Sequence, residues 1–97
     1  MNIGILLEKA RLAGGFSSKR KLALAVGVAN NQIGYYERGI QIPSDKTMMK
    51  LSDLAHEDTG YWLMVAAYLR SDETARAKWA SIIDLYVMTK QSDSKAA

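Results

Sequence analysis

The sequence predicts a small all-α protein, a compact domain of five to six helices, and three observations support this. Apolar residues recur at helical spacing in successive segments that are rich in Ala, Leu, Met and Lys. Pro43 is the single proline, so little in the chain interrupts a helix. No two segments show the alternating pattern of paired strands. At 97 residues and 48% apolar content, the chain has the size and balance of one globular domain.

The first two helices are predicted from the residues at their ends. Helix 1 covers about 3–13 and stops at Gly14-Gly15, because paired glycines favour a helix end. Helix 2 covers about 19–26 and begins after Ser17-Ser18, which offer an N-cap. Gly27 follows it, and we expect this glycine to form a tight turn with a positive φ.

Helices 3 and 4 are separated by a short connection. Helix 3 is predicted over about 30–38 and stops at Gly39. Pro43 interrupts the chain, and Ser44 is the expected N-cap of helix 4. The apolar face of helix 4 consists of Met48, Leu51, Leu54 and Ala55.

Two more helices are predicted in the C-terminal part. Helix 5 begins near Asp58-Thr59 and runs to about Arg70; it is apolar nearly all round, so neighbours should cover it on more than one side. Helix 6 covers about 73–88 and carries one apolar stripe. The stripe consists of Trp79, Ile82, Ile83, Tyr86 and Val87. We expect the small polar residues of the end, 91–97, to be frayed.

Composition argues against several classes of protein. The chain has no cysteine, which excludes disulfides, Cys-zinc sites and thiol nucleophiles and fits an intracellular protein. His56 is the only histidine, and no carboxylate pair, glycine-rich phosphate loop or metal-spaced cluster accompanies it. We therefore expect no enzymatic activity, no metal and no cofactor. No apolar run approaches the ~18 residues of a membrane span, and the N-terminus does not resemble a secretory signal.

Charge is distributed unevenly along the chain. Residues 1–50 hold eight Lys or Arg against three acidic residues, a net +5. Residues 51–97 hold five against seven, a net −2. A basic first half beside an acidic second half indicates that one part meets a polyanion, although solvated basic faces are also common.

The informative segment is residues 18–39, which reads as two short helices joined by a glycine turn. Such a pair of helices must bury the side chains between them, and here these are Leu22, Ala23, Val26, Val28 and Ile33. Ala23 is small enough for the second helix to cross closely, and Gly27 can take the turn conformation. This spacing fixes two helices at a steep angle, an arrangement that can present the second helix to a DNA groove.

The segment resembles the Cro- and repressor-type helix-turn-helix family, also called the xenobiotic-response-element (XRE) type. The matching residues are Ser18, Leu22-Ala23, Gly27, Ile33, Tyr36-Glu37-Arg38-Gly39 and Pro43-Ser44. The match covers about residues 3–65. The resemblance implies a lambda-repressor-like helix-turn-helix with extra C-terminal helices, and a sequence-specific DNA-binding protein. It assigns residues 1–66 to a DNA-binding domain. Beyond residue 66 the resemblance gives no guide, and from the residues themselves we expect a helical extension for dimerisation at 67–88 and a flexible tail at 89–97.

By that resemblance helix 3 is the recognition helix, whose first residues reach base edges. The implied base contacts are Asn30, Asn31, Gln32 and Tyr35; amides can pair with adenine. The family usually has Ser or Thr where this chain has Ala29, and alanine cannot cap a helix. One asparagine is therefore also expected to cap helix 3, which ranks Asn30 below the other three.

The resemblance also implies a set of phosphate contacts. They are Ser18, Lys19, Arg20, Lys21, Arg38 and Lys46. The helix dipole disfavours the three cations in the first turn of helix 2. Phosphates nearby would explain why cations occur there; the alternative is that this is an ordinary solvated surface. Glu37 would repel DNA, so we expect it to organise neighbouring backbone or cations. Gly34, inside helix 3, either allows close approach to the DNA backbone or marks a helix that tightens on binding.

The C-terminal helices are richer in aromatic residues than a minimal helix-turn-helix needs. We expect a homodimer interface formed by Trp62, Tyr68, Trp79, Ile83 and Tyr86. The alternative is that these side chains pack within the monomer. A dimer is favoured because two helix-turn-helix units that bind the two halves of a two-fold symmetric site double the specificity.

The resulting hypothesis is a phage- or prophage-type transcriptional repressor that binds a short palindromic operator in double-stranded DNA as a dimer. It would be encoded by a bacterium or phage and act in the cytoplasm, on the nucleoid. One alternative is the antitoxin of a toxin–antitoxin pair, with a protein partner held by the C-terminal helices. Another is an antirepressor or interaction module that lost DNA binding, against which the abundant amides and cations argue.

Overall fold

Six α-helices follow one another in the part of the chain that the structure describes, and no strand occurs among them. The structure is a computed structural model that describes the backbone of residues 2–96 and the side chains of residues 2–91. The helices are α1 (Ile3–Ala13), α2 (Lys19–Val26), α3 (Asn30–Glu37), α4 (Asp45–Ala55), α5 (Thr59–Arg70) and α6 (Glu73–Ala96). The predicted all-α fold class is confirmed.

Side-chain caps explain where five of the helices begin. In each, an oxygen of the residue before the helix accepts a hydrogen bond from a free backbone N–H of the first turn. The capping residues are Asn2, Ser18, Ser44, Asp58 and Asp72. The predicted caps Ser18 and Ser44 are thus confirmed, as is the start of α5 after Asp58.

The core lies where α1, α4 and α5 pack in succession. Helix α1 packs on α4, and α4 packs on α5, while the α2–α3 pair lies against α1. The largest side chains that are fully buried are Leu6, Leu22, Ile33, Met48, Leu51 and Val65. Because α2 and α3 each bury one face in this core, their other faces are left at the surface.

Helix α5 is covered on two sides, as its apolar composition predicts. It packs on α4 and on α6, and Trp62, Val65 and Ala66 are buried there. Neither α5 nor any other helix in the described part of the chain combines the length and apolar character needed to cross a membrane.

Helix α6 differs from the prediction at its end and on its outer face. It continues to Ala96, so an end near residue 88 is wrong; no glycine or proline occurs after Glu73 to stop it. Ala97 and the side chains of 92–97 lie outside the described residues. Ile82, assigned to the apolar stripe, is 46% exposed, because among the described helices α6 packs only on α5 and buries one narrow side.

Candidate nucleic-acid interface

The corner between α2 and α3 is fixed by the backbone of Gly27. This residue has φ 78° and ψ 32°, a left-handed conformation that glycine adopts without strain, as predicted. The N–H groups of Gly27 and Val28 both donate to the carbonyl oxygen of Ala23 in α2. Ala23, Val26 and Ile33 are buried beneath the corner. The two helices are therefore held at one angle by hydrogen bonds and by packing.

One face of α3 points away from the core, and we call it the outward face. Its residues are Asn30, Asn31, Gly34, Tyr35 and Arg38. At about 100° per residue these positions lie opposite the buried Ile33 and Tyr36. Asn30, Asn31 and Arg38 are exposed, whereas Gly34 and Tyr35 are half-buried. Three of the four predicted base contacts, Asn30, Asn31 and Tyr35, thus lie together on the outward face.

The fourth predicted base contact, Gln32, has a structural task. Ala29 is the N-cap of α3 and has no side-chain acceptor. The Gln32 Oε1 atom accepts a hydrogen bond from the Ala29 N–H at 2.8 Å, which satisfies a donor at the start of the helix. The prediction that an asparagine caps α3 is wrong, because the glutamine at the third helical position reaches back instead. Asn30 and Asn31 are left free of that task.

The start of α2 brings together four of the predicted phosphate contacts. The Ser18 Oγ atom accepts from the Lys21 N–H at 3.2 Å, so that it caps the helix. Lys19, Arg20 and Lys21 are exposed in the first turn. Lys19 is also paired, since its Nζ lies 3.0 Å from a carboxylate oxygen of Glu37 at the end of α3. This ion pair confirms that Glu37 organises a cation.

The other two predicted phosphate contacts lie on α3 and α4. Lys46 is exposed in the first turn of α4. Arg38 folds back along the outward face, where its Nε donates to the Gly34 carbonyl at 3.2 Å. Its guanidinium carbon lies 5.4 Å from the centre of the Tyr35 ring, a cation–π contact. Arg38 and Tyr35, to which separate roles were assigned, therefore form one unit.

Sequence reasoning did not identify the contribution of Arg11. Its Nη1 donates to the Phe16 carbonyl at 3.1 Å and its Nη2 lies 2.7 Å from a carboxylate oxygen of Glu8. The hydrogen bond from Arg11 lowers the pKa of Glu8 and correspondingly raises that of Arg11. Arg11 thus ties the loop before α2 to α1. The spacing of three residues between Glu8 and Arg11 is the sequence signal for the pair.

The structure corrects two members of the predicted dimer interface. Trp62 and Ile83 are 6% and 2% exposed, because they pack inside the monomer between α5 and its neighbours. The alternative, packing within the monomer, therefore holds for these two. Tyr68 and Trp79 are half-buried. Tyr86 is also half-buried, and its hydroxyl donates to the Asp58 carboxylate at 2.8 Å.

Comparison with known proteins agrees with this geometry. The family model described as "Helix-turn-helix" matches residues 7–62, more than half of the chain, and includes α2 and α3. The HTH-type transcriptional regulator ImmR of Bacillus subtilis (strain 168) is 32% identical over 74 residues, which are 76% of this chain and 58% of that protein. The search of solved structures finds no match. The chain spans just over half of its relative, and the predicted resemblance is confirmed: this protein belongs to the helix-turn-helix family.

Proposed function

We propose that this protein is a sequence-specific DNA-binding transcriptional regulator that places α3 in the major groove. The observation that carries the proposal is the outward face of α3, where Asn30 and Asn31 are exposed on a helix held by the Gly27 corner. Amide side chains at the start of a recognition helix can pair with adenine edges. A rigid corner lets the protein present them without further ordering, which lowers the entropic cost of binding.

The cations around this face support a duplex as the partner. Lys19, Arg20 and Lys21 lie at the start of α2, and Lys46 lies at the start of α4. With Ser18 and Arg38 they form the proposed phosphate contacts. Cations cost stability in the first turn of a helix by ~0.3–1 kcal/mol each. Lys19 has Glu37 as a partner within the protein, but Arg20, Lys21 and Lys46 are better explained by a nearby row of phosphates, which offsets that cost, than by water alone.

The similarity to ImmR supports regulation of transcription, since that protein is named an HTH-type transcriptional regulator. We propose a repressor of phage or prophage type, which acts by occupying a short palindromic operator. Such a protein would work on the bacterial nucleoid, in the cytoplasm, and would need no cofactor.

We further propose that a second copy of the chain packs on the outer face of α6. Helix α6 contacts only α5 among the described helices. Its outer face carries Ile82, Leu85 and Met88, which are 46%, 64% and 62% exposed. These positions are three residues apart and form one apolar row along the helix, where a two-fold copy could bury the same row against itself. This row replaces Trp62 and Ile83 in the predicted interface.

Selection of bound duplexes from a random-sequence library tests the proposal. We expect the unaltered protein to enrich one palindromic sequence. Asn31→Ala should lose ~1–3 kcal/mol of binding free energy at particular base pairs and relax the preference there. Ser81→Ala, an exposed residue of α6, is the matched control and should leave the preference unchanged. If the protein binds no duplex at low ionic strength, or if Asn31→Ala weakens every sequence equally, the proposal is wrong.

A further inference from the structure

Three glycines lie inside helices of the described chain, and the fold accounts for two of them. A Cβ at Gly60, in the first turn of α5, would lie 2.8 Å from the Tyr86 hydroxyl oxygen. A Cβ at Gly4, in the first turn of α1, would lie 3.0 Å from the Asn2 Oδ1 atom that caps the helix. Both glycines therefore make room for a neighbouring side chain of this protein.

At Gly34, the third of these glycines, no neighbouring side chain of the protein needs the space that a glycine leaves. It lies in the middle of α3 and is not among the glycines with a positive φ. A Cβ there would meet only Arg38 Nη2, at 3.7 Å, which is an ordinary contact with the end of a flexible side chain. Glycine is the least favourable residue for a helix interior after proline. Neither backbone conformation nor packing in the free protein explains it.

The surroundings of Gly34 indicate what the missing side chain leaves room for. Asn30 and Asn31 lie one turn before it on the outward face, and Arg38 lies one turn after it. The Arg38 side chain crosses the bare backbone, with its Nε on the Gly34 carbonyl and its guanidinium on the Tyr35 ring. The centre of the outward face is therefore backbone without a side chain of its own, and the Arg38 guanidinium lies against it.

We propose that Gly34 is the point of closest approach between α3 and bound DNA, and that Arg38 donates to a phosphate oxygen there. The inference rests on the proposed function and deepens it. The Gly34 carbonyl and the Tyr35 ring fix the guanidinium, so its remaining N–H groups are oriented before DNA arrives. A methyl group at position 34 would keep the duplex away from the helix and lengthen that contact.

Gly34→Ala separates this role from a role in folding. Because alanine favours a helix, the variant should melt ~4–8 °C higher, as expected for a small domain. Its affinity for the duplex selected by the unaltered protein should nevertheless fall about tenfold. Gly60→Ala is the matched control: it should melt lower, because its Cβ displaces Tyr86.

The salt dependence of binding tests the proposed contact between Arg38 and a phosphate. Arg38→Gln should flatten the dependence of log affinity on log salt by ~0.9, the effect of one phosphate contact. In the Gly34→Ala background the same substitution should change the slope by less, because the contact is already weakened. A lower melting temperature for Gly34→Ala, or an affinity equal to that of the unaltered protein, would overturn the inference. Failure of the unaltered protein to bind any duplex would instead overturn the proposed function.

Discussion

Lys19, the first residue of α2, forms an ion pair with Glu37, the last residue of α3, with 3.0 Å between Nζ and the carboxylate oxygen. The pair joins the two helices at a point away from the Gly27 corner. The Lys19 side chain is 60% exposed, so water screens the pair and its contribution to stability is small. A phosphate arriving at the start of α2 would therefore compete with Glu37 for Lys19 at little cost.

That competition leads to a prediction about salt. If Lys19 exchanges Glu37 for a phosphate on binding, Lys19→Gln should weaken binding to all DNA sequences alike. It should also flatten the slope of log affinity against log salt by ~0.9. Titrations of the selected duplex at several salt concentrations measure the slope. Lys78→Gln, on the exposed surface of α6, is the control and should leave it unchanged. An unchanged slope for Lys19→Gln would show that Lys19 stays with Glu37.

A second prediction concerns the start of α3, where Ala29 occupies the N-cap without a side-chain acceptor. Its backbone, at φ −67° and ψ 150°, already has the extended conformation of a capping residue. Ala29→Ser should therefore raise the free energy of unfolding by ~0.5–2 kcal/mol. Urea denaturation measures the change. Ala29→Val, which also lacks an acceptor, should give no such gain, and equal stability of the serine and valine variants would contradict the prediction.

The same region shows how far the sequence determines the structure. The bounds of α1 and α2 could be predicted because caps and glycines are local signals. The hydrogen bond from the Ala29 N–H to Gln32 could not be predicted. Asn30, Asn31 and Gln32 can each supply an acceptor oxygen, and only the side-chain geometry selects one of them. Trp62 presented a related ambiguity. An apolar face indicates burial, but its spacing does not tell whether the same chain or a partner covers it.

The outer face of α6 allows the proposed dimer to be tested. Leu85 is 64% exposed and lies in the middle of the apolar row. Leu85→Glu should convert the dimer to a monomer, because two like charges would face each other across the two-fold axis. Sedimentation equilibrium measures the mass. Gln41→Glu, exposed in the connection between α3 and α4, is the control: it adds the same charge away from α6 and should leave the mass unchanged. A monomeric unaltered protein at micromolar concentration would contradict the proposal.

The hydrogen bond between Tyr86 and Asp58 links α6 to the start of α5, and its contribution to the free energy of unfolding should depend on pH. Partial burial of the Asp58 carboxyl raises its pKa. Hydrogen bonds from the Tyr86 hydroxyl and from backbone N–H groups, together with the charge of Lys90, outweigh that effect and hold the pKa below its ordinary 3.8. A carboxyl with a lowered pKa stabilises the fold above its unfolded pKa, and that contribution is lost as pH falls through the folded value.

Tyr86→Phe removes the hydroxyl and should lower the free energy of unfolding at pH 7. The difference from the unaltered protein should begin to shrink as pH falls below about 4, where the Asp58 carboxyl of the unfolded chain takes up a proton. It should be lost as pH falls through the lower pKa of the folded protein. Urea denaturation at pH 7 and pH 3 measures both effects. Tyr61→Phe is the control, because Tyr61 bonds Asp58 through its backbone N–H rather than its hydroxyl. If the difference is the same at pH 3 as at pH 7, Tyr86 stabilises α6 by packing and not through the Asp58 carboxylate.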